Sequence, residues 1–165
     1  FAAAVNVVAN GGLYVAPRLL KAMIGARGTM QEADPSATHR VLKETTAAAM
    51  VSMMKDVVCQ GTGQDAQLPG ISVAGKTGTA YKVQQGKGYG SAGNRQYRAS
   101  FVGFFPADAP RVTILVTIDQ PDPTSQDRFG GKAAAPLFAT IANDAIHELK
   151  ITPIAGDKGC PATHG

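Results

Sequence analysis

Two strand-like segments in the second half of the chain are joined by a link that is too short to hold a helix. Residues 111–119 sort into an apolar face and a mostly polar face, and residues 100–105, closed by Pro106, form the segment before them. The apolar face carries Val112, Ile114, Val116 and Ile118, and the other face carries Thr113, Leu115, Thr117 and Asp119. Because only Ala107–Pro110 lies between the two segments, the chain must reverse direction there. The pattern predicts an antiparallel hairpin.

A third strand and three helices complete the predicted fold. Residues 71–81 form the third strand candidate, while residues 1–10, residues 43–60 and the segment from Pro136 to Leu149 carry apolar residues at helical spacing. The order helix, helix, three antiparallel strands, helix is typical of an α+β fold. We expect an antiparallel sheet flanked by helices, with the helices covering one face.

The first ten residues read as a helix that is already under way. Phe1, Ala4, Val5 and Val8 recur at helical spacing, and Asn10-Gly11-Gly12 is typical of a left-handed helix end. No capping residue, initiator Met or basic leader precedes this pattern. We therefore expect the chain to be a piece of a longer protein, in which case a missing signal sequence says nothing about compartment.

Size and composition exclude several classes of protein. The 165 residues suffice for one compact domain, and 44% hydrophobic with 17% charged residues is ordinary globular usage, which excludes disordered and fibrous chains. No run approaches the 18 consecutive apolar residues of a membrane span. No internal repeat or interdomain linker is visible.

The positive charge of the chain is concentrated in one stretch. The formal net charge is +4, and residues 82–98 contain Lys82, Lys87, Arg95 and Arg98 without an acidic residue. The Gly, Gln, Ser and Asn content of this stretch favours a solvated loop over a nucleic-acid surface, because no aromatic ladder or basic helix accompanies it. We expect no nucleic-acid partner, and we expect Tyr81–Ala99 to be the most mobile internal segment, either a lip over a site or a plain hairpin loop.

The two cysteines, Cys59 and Cys160, have no other Cys or His near them at metal-ligand spacing. A metal site is therefore not expected, and nothing else in the sequence indicates a cofactor. A bridge between the two would need an oxidising compartment. The expectation is that they are not bonded and that Cys59 is a buried thiol on a helix.

The segment that carries chemistry is Val73–Ala80. On a strand, Thr77 and Thr79 project to the same side, with their side chains about 7 Å apart, while Lys76 projects to the other side. Gly78 inside a strand indicates that something approaches the backbone closely. A cation, two hydroxyls and an open backbone edge suit an anionic ligand, and the free N–H groups of such an edge can hold a developing oxyanion.

Two less specific interpretations compete with this one. Lys-Thr-Gly occurs by chance in many proteins as a turn or strand end. In addition, Gly70 to Thr77 formally matches the phosphate-binding pattern Gly-x-x-x-x-Gly-Lys-Thr. A phosphate-binding loop follows a strand and opens a helix, whereas residues 71–74 include the β-branched Ile71 and Val73, and the residues after Tyr81 permit no helix. A nucleotide site is not expected.

The Lys-Thr-Gly box, together with its surroundings, resembles the class B penicillin-binding proteins. The similarity extends over five blocks in the order of that family, which cover most of residues 1–149. They are Phe1 to Gly12, Val41 to Gly63, Val73 to Ala80, Ser100 to Pro106 and Gly130 to Phe138. The resemblance implies the penicillin-binding protein and serine β-lactamase-like fold, incomplete in this chain. Residues 1–150 would then be the C-terminal part of a transpeptidase domain, followed by a tail of residues 151–165.

The resemblance also implies roles for four residues. Lys76 matches the lysine that supports proton transfer beside the nucleophile, and Thr77 and Thr79 match the hydroxyls that bind the substrate carboxylate. The Thr79 N–H matches one oxyanion donor, so Lys76 and Thr79 are the expected catalytic residues. Gly78 is expected to leave room for the acyl donor. The Ser-x-x-Lys and Ser-x-Asn boxes of the family are expected upstream of Phe1, so the nucleophile is expected to lie outside this chain.

The same resemblance implies a function and a location. The expected activity is peptidoglycan D,D-transpeptidation through an acyl-serine, with D-Ala-D-Ala stem peptides and β-lactam antibiotics as ligands. Further expected partners are the N-terminal remainder of the same protein and proteins of the division or elongation machinery. The expected location is extracytoplasmic, with anchoring by a membrane segment outside this chain. The alternatives are a β-lactamase-like hydrolase, a β-lactam sensor or a non-catalytic division scaffold.

Overall fold

The structure is a computed structural model that describes residues 1–86, 88–91, 95–122, 125–157 and 159–160. The helices are α1 (Ala2–Ala9), α2 (Glu44–Cys59), α3 (Gly130–Ala133) and α4 (Ala135–Glu148), with short 3₁₀ segments at Gln64–Ala66 and Gln126–Arg128. The strands are β1 (Leu13–Val15), β2 (Ala22–Ile24), β3 (Met30–Glu32), β4 (Thr38–Arg40), β5 (Ala74–Tyr81), β6 (Tyr97–Phe105) and β7 (Val112–Asp119). Within these ranges, no helix is both long enough and apolar enough to cross a bilayer.

The main sheet has the order β5-β6-β7, and both pairs are antiparallel. The predicted hairpin of β6 and β7 is confirmed, with Phe101 opposite Val116, and Thr77 of β5 lies opposite Phe101 from the other side. Two small two-stranded sheets, β1 with β4 and β2 with β3, lie before α2. In the described part of the sheet, β5 is an edge strand, which leaves one side of its backbone open.

Helices pack on both faces of this sheet, so the expectation of a single covered face is wrong. On one face, Phe101 packs edge-on against Phe138 of α4 with ring centroids 4.8 Å apart. On the other face, the Thr113 hydroxyl donates to the Asn6 side-chain oxygen of α1 at 2.9 Å, and Phe104 packs with Val8. The central strand β6 is buried almost throughout rather than at alternate positions, as a strand between two helical layers must be. The α+β fold class itself is confirmed.

The first helix ends where the sequence predicts. Gly11 and Gly12 have φ of +61° and +91°, in the left-handed region that favours glycine. A Cβ on Gly12 would also collide with the carbonyl of Leu42, at the start of the segment leading into α2. The Asn-Gly-Gly signal therefore fixes both the end of α1 and its distance from the chain before α2.

The C-terminal segment folds back onto the domain and overturns the expectation about the cysteines. Cys59, at the end of α2, and Cys160 form a disulfide. Ile151 is buried in the main core, and the Asp157 carboxylate accepts hydrogen bonds from the Ser72 N–H and hydroxyl at 2.9 and 2.8 Å. The pairing was not predictable from spacing, because 101 residues separate the cysteines and only these contacts bring them together.

Burial and hydrogen bonding shift the pKa of Asp157 in opposite directions. Burial alone raises the pKa of its carboxyl, but the hydrogen bonds from Ser72 and from the Gly159 N–H together outweigh burial, and the pKa falls below its ordinary value. Ser72 is itself buried and also accepts from the Ala107 N–H. The ionised carboxylate therefore holds the tail against the start of β5.

The loop that contains the basic stretch is shorter than expected, and part of the positive charge of the stretch is neutralised. Tyr81 and Tyr97 are strand residues, so the connection covers residues 82–96, of which 87 and 92–94 lie outside the described residues. Asp119 of β7 accepts from Lys82 at 2.6 Å and from Arg98 at 3.3 Å. The hydrogen bond from Lys82, reinforced by Arg98, lowers the pKa of Asp119. Two of the four cations, Lys82 and Arg98, therefore pair with an aspartate that is distant in the sequence. The mobility of the segment stays a prediction.

Candidate active site

The side chains of Thr77 and Thr79 lie on the α4 face of β5 and border a common cleft of about 460 Å³. The walls of the cleft come from the end of α2 and its following loop, from β5, and from the chain entering α3. The lining residues are Gly61, Thr62, Gln64, Asp65, Thr77, Thr79, Phe129, Gly130, Gly131 and Lys132. The strand period thus brings the two predicted hydroxyls to one open surface.

Each threonine hydroxyl is already held by a neighbouring element. The Thr62 and Thr77 hydroxyl oxygens are 2.7 Å apart, and the Gly130 N–H donates to the Thr79 hydroxyl at 3.1 Å. A hydroxyl has one hydrogen to donate and two lone pairs with which to accept. Because Thr79 accepts from a backbone N–H, its own hydrogen remains available for a ligand.

Glycine is required at positions 130 and 131 because backbone atoms of other segments lie close to both. A Cβ on Gly131 would collide with the Thr62 carbonyl oxygen, and one on Gly130 would collide with the carbonyl oxygens of Ser100 and Gly78. These two glycines let the start of α3 lie against β5 and the loop after α2. The sequence block containing them was noticed for its resemblance, but nothing in the sequence showed that it forms a wall of the cleft.

Lys76 reaches around the open edge of β5. Its Cβ projects to the face opposite Thr77, yet its ammonium donates to the Thr77 carbonyl oxygen at 3.0 Å and to the Thr77 hydroxyl at 3.2 Å. Since β6 occupies the other edge of β5, the ammonium passes along the free edge. The cation and the Thr77 hydroxyl therefore meet where the strand lacks a partner.

Gly78 has a close neighbour within the protein. A Cβ at this position would stand 2.5 Å from the Ser100 hydroxyl oxygen. Packing between β5 and β6 therefore favours glycine here without requiring it, because the Ser100 hydroxyl can rotate away. Its expected role in leaving room for an acyl donor stays a prediction, as does the role of the Thr79 N–H as an oxyanion donor.

An ion pair on the cleft wall was missed at the sequence level. Lys132 of α3 donates to the Asp65 carboxylate at 2.8 Å, and the side chains are 61% and 35% exposed. The hydrogen bond to Asp65, with a contribution from the charge of Asp127, raises the pKa of Lys132. The pair could not be identified from the sequence because its partners are 67 positions apart.

One tetrapeptide, Ser52 to Lys55, has the Ser-x-x-Lys spacing that was expected only upstream of the chain. It lies in α2 and borders a different cleft, with Asp56 and Asp108. The Lys55 ammonium donates to both carboxylate oxygens of Asp108, at 3.0 and 2.9 Å. The lysine is thus paired with Asp108 and not with Ser52, so the match to a nucleophile box is one of spacing alone.

No metal site competes for these residues: within the described ranges, no group of three or more His, Cys, Asp or Glu side chains could hold a metal ion. The chemistry of the cleft rests on hydroxyls, one ammonium at the strand edge and one ion pair.

Comparison with known proteins agrees with the motif strand and its surroundings. The model of the penicillin binding protein transpeptidase domain matches residues 1–143. The chain belongs to this family. Stage V sporulation protein D of Bacillus subtilis is 37% identical over 153 residues, which cover 92% of this chain and 23% of that protein. PbpB of Mycolicibacterium smegmatis is 36% identical over 169 residues, covering 98% of this chain and 26% of that protein.

Solved structures of family members show the same fold. Penicillin binding protein 3 of Mycobacterium tuberculosis, complexed with aztreonam, superposes with a TM-score of 0.78 at 32% identity, covering 98% of this chain and 37% of that one. The transpeptidase domain of penicillin-binding protein 3 from Burkholderia pseudomallei gives a TM-score of 0.69 at 34% identity, over 92% of this chain and 42% of that one. The chain spans about a quarter of the length of stage V sporulation protein D and of PbpB.

Proposed function

We propose that this chain forms one wall of the active site of a serine D,D-transpeptidase that cross-links peptidoglycan stem peptides. The remaining wall, with the nucleophilic serine, belongs to a part of the protein outside this chain. The observation that carries the proposal is the set of donors on β5: two threonine hydroxyls that line the cleft, with the Lys76 ammonium bound to the Thr77 hydroxyl beside them.

The hydrogen-bond directions favour a carboxylate ligand. Thr79 accepts from the Gly130 N–H, and Thr77 can accept from Lys76 and Thr62, so both hydroxyls can turn their own hydrogens toward the cleft. Two such donors beside an ammonium suit the terminal carboxylate of a D-Ala-D-Ala peptide or the carboxylate of a β-lactam. The hydrogen bond from Lys76 to Thr77 also keeps the cation next to the bound anion.

The proposed reaction proceeds by acyl transfer. The serine oxygen attacks the penultimate D-Ala carbonyl, the Thr79 N–H donates to the developing oxyanion, and the peptide C–N bond breaks with release of D-alanine. Lys76 supports proton transfer at the strand edge, and Gly78 leaves the backbone open to the donor. An amine on a neighbouring strand then attacks the acyl-serine and forms the cross-link.

Partners and location follow from the same proposal. β-Lactams are inferred ligands because penicillin binding protein 3 of Mycobacterium tuberculosis was solved in one complex with aztreonam and in another with ampicillin. The proposed location is outside the cytoplasmic membrane, with anchoring by a segment beyond this chain, and proteins of the division or elongation machinery are proposed partners. The Cys59–Cys160 disulfide supports an oxidising compartment, because such bonds persist mainly in extracytoplasmic proteins.

Labelled penicillin tests this function. The complete protein should form one covalent adduct per molecule, on a serine in a Ser-x-x-Lys box outside this chain, whereas residues 1–165 alone should form none. Peptide mapping of the adduct identifies the serine. The complete protein staying unlabelled, or carrying its adduct on Ser52, would refute the proposal; the first result would favour a non-catalytic scaffold.

A further inference from the structure

The loop that follows α2 brings one more hydroxyl to the threonines of β5. The Thr62 hydroxyl oxygen lies 2.7 Å from that of Thr77, although the two residues are 15 positions apart in the sequence. Thr62 is exposed, and it lines the cleft together with Thr77. The contact therefore links the motif strand to a loop that forms another wall of the cleft.

The backbone around Thr62 is fixed on two sides. The N–H groups of its two neighbours, Gly61 and Gly63, both donate to the Val57 carbonyl oxygen, at 3.1 and 3.0 Å. On the other side, a Cβ on Gly131 would collide with the Thr62 carbonyl oxygen, so the start of α3 packs directly on this loop. Thr62 is thus held in place by the fold, which suits a residue that orients another side chain.

Counting donors and acceptors gives the direction of the Thr62–Thr77 hydrogen bond when an anion is bound. The Lys76 ammonium has only hydrogens to offer, so Thr77 accepts from it at 3.2 Å. An ionised carboxylate only accepts, so the single hydrogen of Thr77 points to the ligand. The hydrogen between the two threonines must then come from Thr62. The bonds run from Thr62 to Thr77 to the carboxylate, and each bond in such a chain strengthens the next.

We propose that Thr62 is a positioning residue for carboxylate recognition: it donates to Thr77 and thereby directs the Thr77 hydrogen to the ligand. This inference rests on the proposed transpeptidase function. It gives Thr62 a role that is exerted through Thr77 and not by contact with the reacting atoms. Part of the preference for ligands with a free carboxylate therefore comes from a loop outside the motif strand.

The test uses the complete protein and compares its acylation rates with benzylpenicillin and with the methyl ester, which lacks the ionised carboxylate. In Thr62→Val, we expect the ratio of the acid rate to the ester rate to fall about three- to tenfold, as for loss of one neutral hydrogen bond. Thr62→Ala, a second variant without the hydroxyl, should give the same fall, and Thr62→Ser should recover most of the parent ratio. Thr140→Val is the matched control, because it removes an exposed hydroxyl of α4 that lies outside the cleft. Thermal unfolding shows that each variant is folded.

The variant Thr77→Val separates an action through Thr77 from direct binding of the ligand by Thr62. If Thr62 acts through Thr77, adding Thr62→Val to Thr77→Val should change the acid-to-ester ratio less than about twofold, because the link is already lost. An equal fall of the ratio in both backgrounds would show that Thr62 binds the ligand itself, and the positioning role would be wrong.

An unchanged acid-to-ester ratio in Thr62→Val would also overturn the inference. If both rates fall together, the hydroxyl only supports the wall of the cleft, and if neither rate falls, it takes no part in binding the carboxylate. Failure of the parent protein to react with benzylpenicillin would instead refute the proposed transpeptidase function, and the inference would fall with it.

Discussion

Replacing Thr79 by Val removes one hydroxyl from the cleft and keeps the β-branched shape that suits a strand. The hydroxyl is expected to donate to the ligand carboxylate, and a hydrogen bond to a charged group contributes about 1.5–3 kcal/mol. Loss of that bond should slow acylation by penicillin about ten- to a hundredfold. Thr117→Val is the matched control, since Thr117 is exposed on the opposite face of the same sheet.

The structure adds a second consequence that the sequence did not suggest. The same hydroxyl accepts from the N–H of the buried Gly130, so Thr79→Val leaves that donor unpaired. An unsatisfied buried N–H costs about 1–3 kcal/mol, so the free energy of unfolding should fall measurably rather than stay unchanged. Thr79→Ser keeps the hydroxyl and should preserve both the stability and the acylation rate, apart from a small effect of the lost methyl group.

The assay follows the acylation rate of the complete protein with benzylpenicillin and with its methyl ester, which lacks the carboxylate. If Thr79 binds the carboxylate, the substitution should slow the reaction with the acid and have little effect on the reaction with the ester. Thermal unfolding of each variant shows that the comparison is made on folded protein. Equal slowing with acid and ester would mean that the hydroxyl acts only through Gly130, and a rate within twofold of the parent would remove Thr79 from the site.

Three further substitutions test the tail and the cleft. Replacing Cys59 and Cys160 by Ser opens a crosslink with a sequence separation of 101 residues, and chain entropy alone predicts a loss of up to about 4.7 kcal/mol in the free energy of unfolding, measured by urea denaturation. Asp157→Asn should destabilise the protein at neutral pH. Because the pKa of folded Asp157 lies below the ordinary 3.8, the difference in free energy of unfolding between variant and parent should vanish as the pH falls through that folded pKa. A difference that stays constant with pH would contradict the role of the ionised carboxylate. Gly131→Ala should displace the Thr62 carbonyl. Measured side by side, the rate of penicillin acylation should fall strongly while the free energy of unfolding falls only slightly.

Much of the fold was predictable because its signals are local. The helix end at Gly11 and Gly12, the apolar stripe of α2 and the short link between β6 and β7 each depend on neighbouring residues. The predicted strand boundaries were less accurate: β5 begins at Ala74 rather than at residue 71, and β6 begins at Tyr97 rather than at residue 100. The second helical layer was missed because a strand buried on both faces shows no alternation from which to read it.

Contacts between distant residues account for the rest. The strand period was enough to place Thr77 and Thr79 on one surface, but their hydrogen-bond partners Thr62 and Gly130 come from other elements. The disulfide, the Asp157 clamp, the counter-charge at Asp119 and the Asp65–Lys132 pair join positions between 21 and 101 residues apart. Residue type alone cannot identify such pairs, because an Asp or a Lys on the surface has many alternative partners.

Release of D-alanine by the complete protein, from a peptide ending in D-Ala-D-Ala and in the presence of an amine acceptor, is the most direct test of the transpeptidase account. We expect one equivalent of D-alanine for each cross-linked or hydrolysed product, and complete inhibition by stoichiometric penicillin. Lys76→Met, which keeps the length of the side chain and removes its ammonium, should slow release about a hundredfold or more while the protein remains folded. Release that continues in Lys76→Met and in the presence of penicillin would contradict the account.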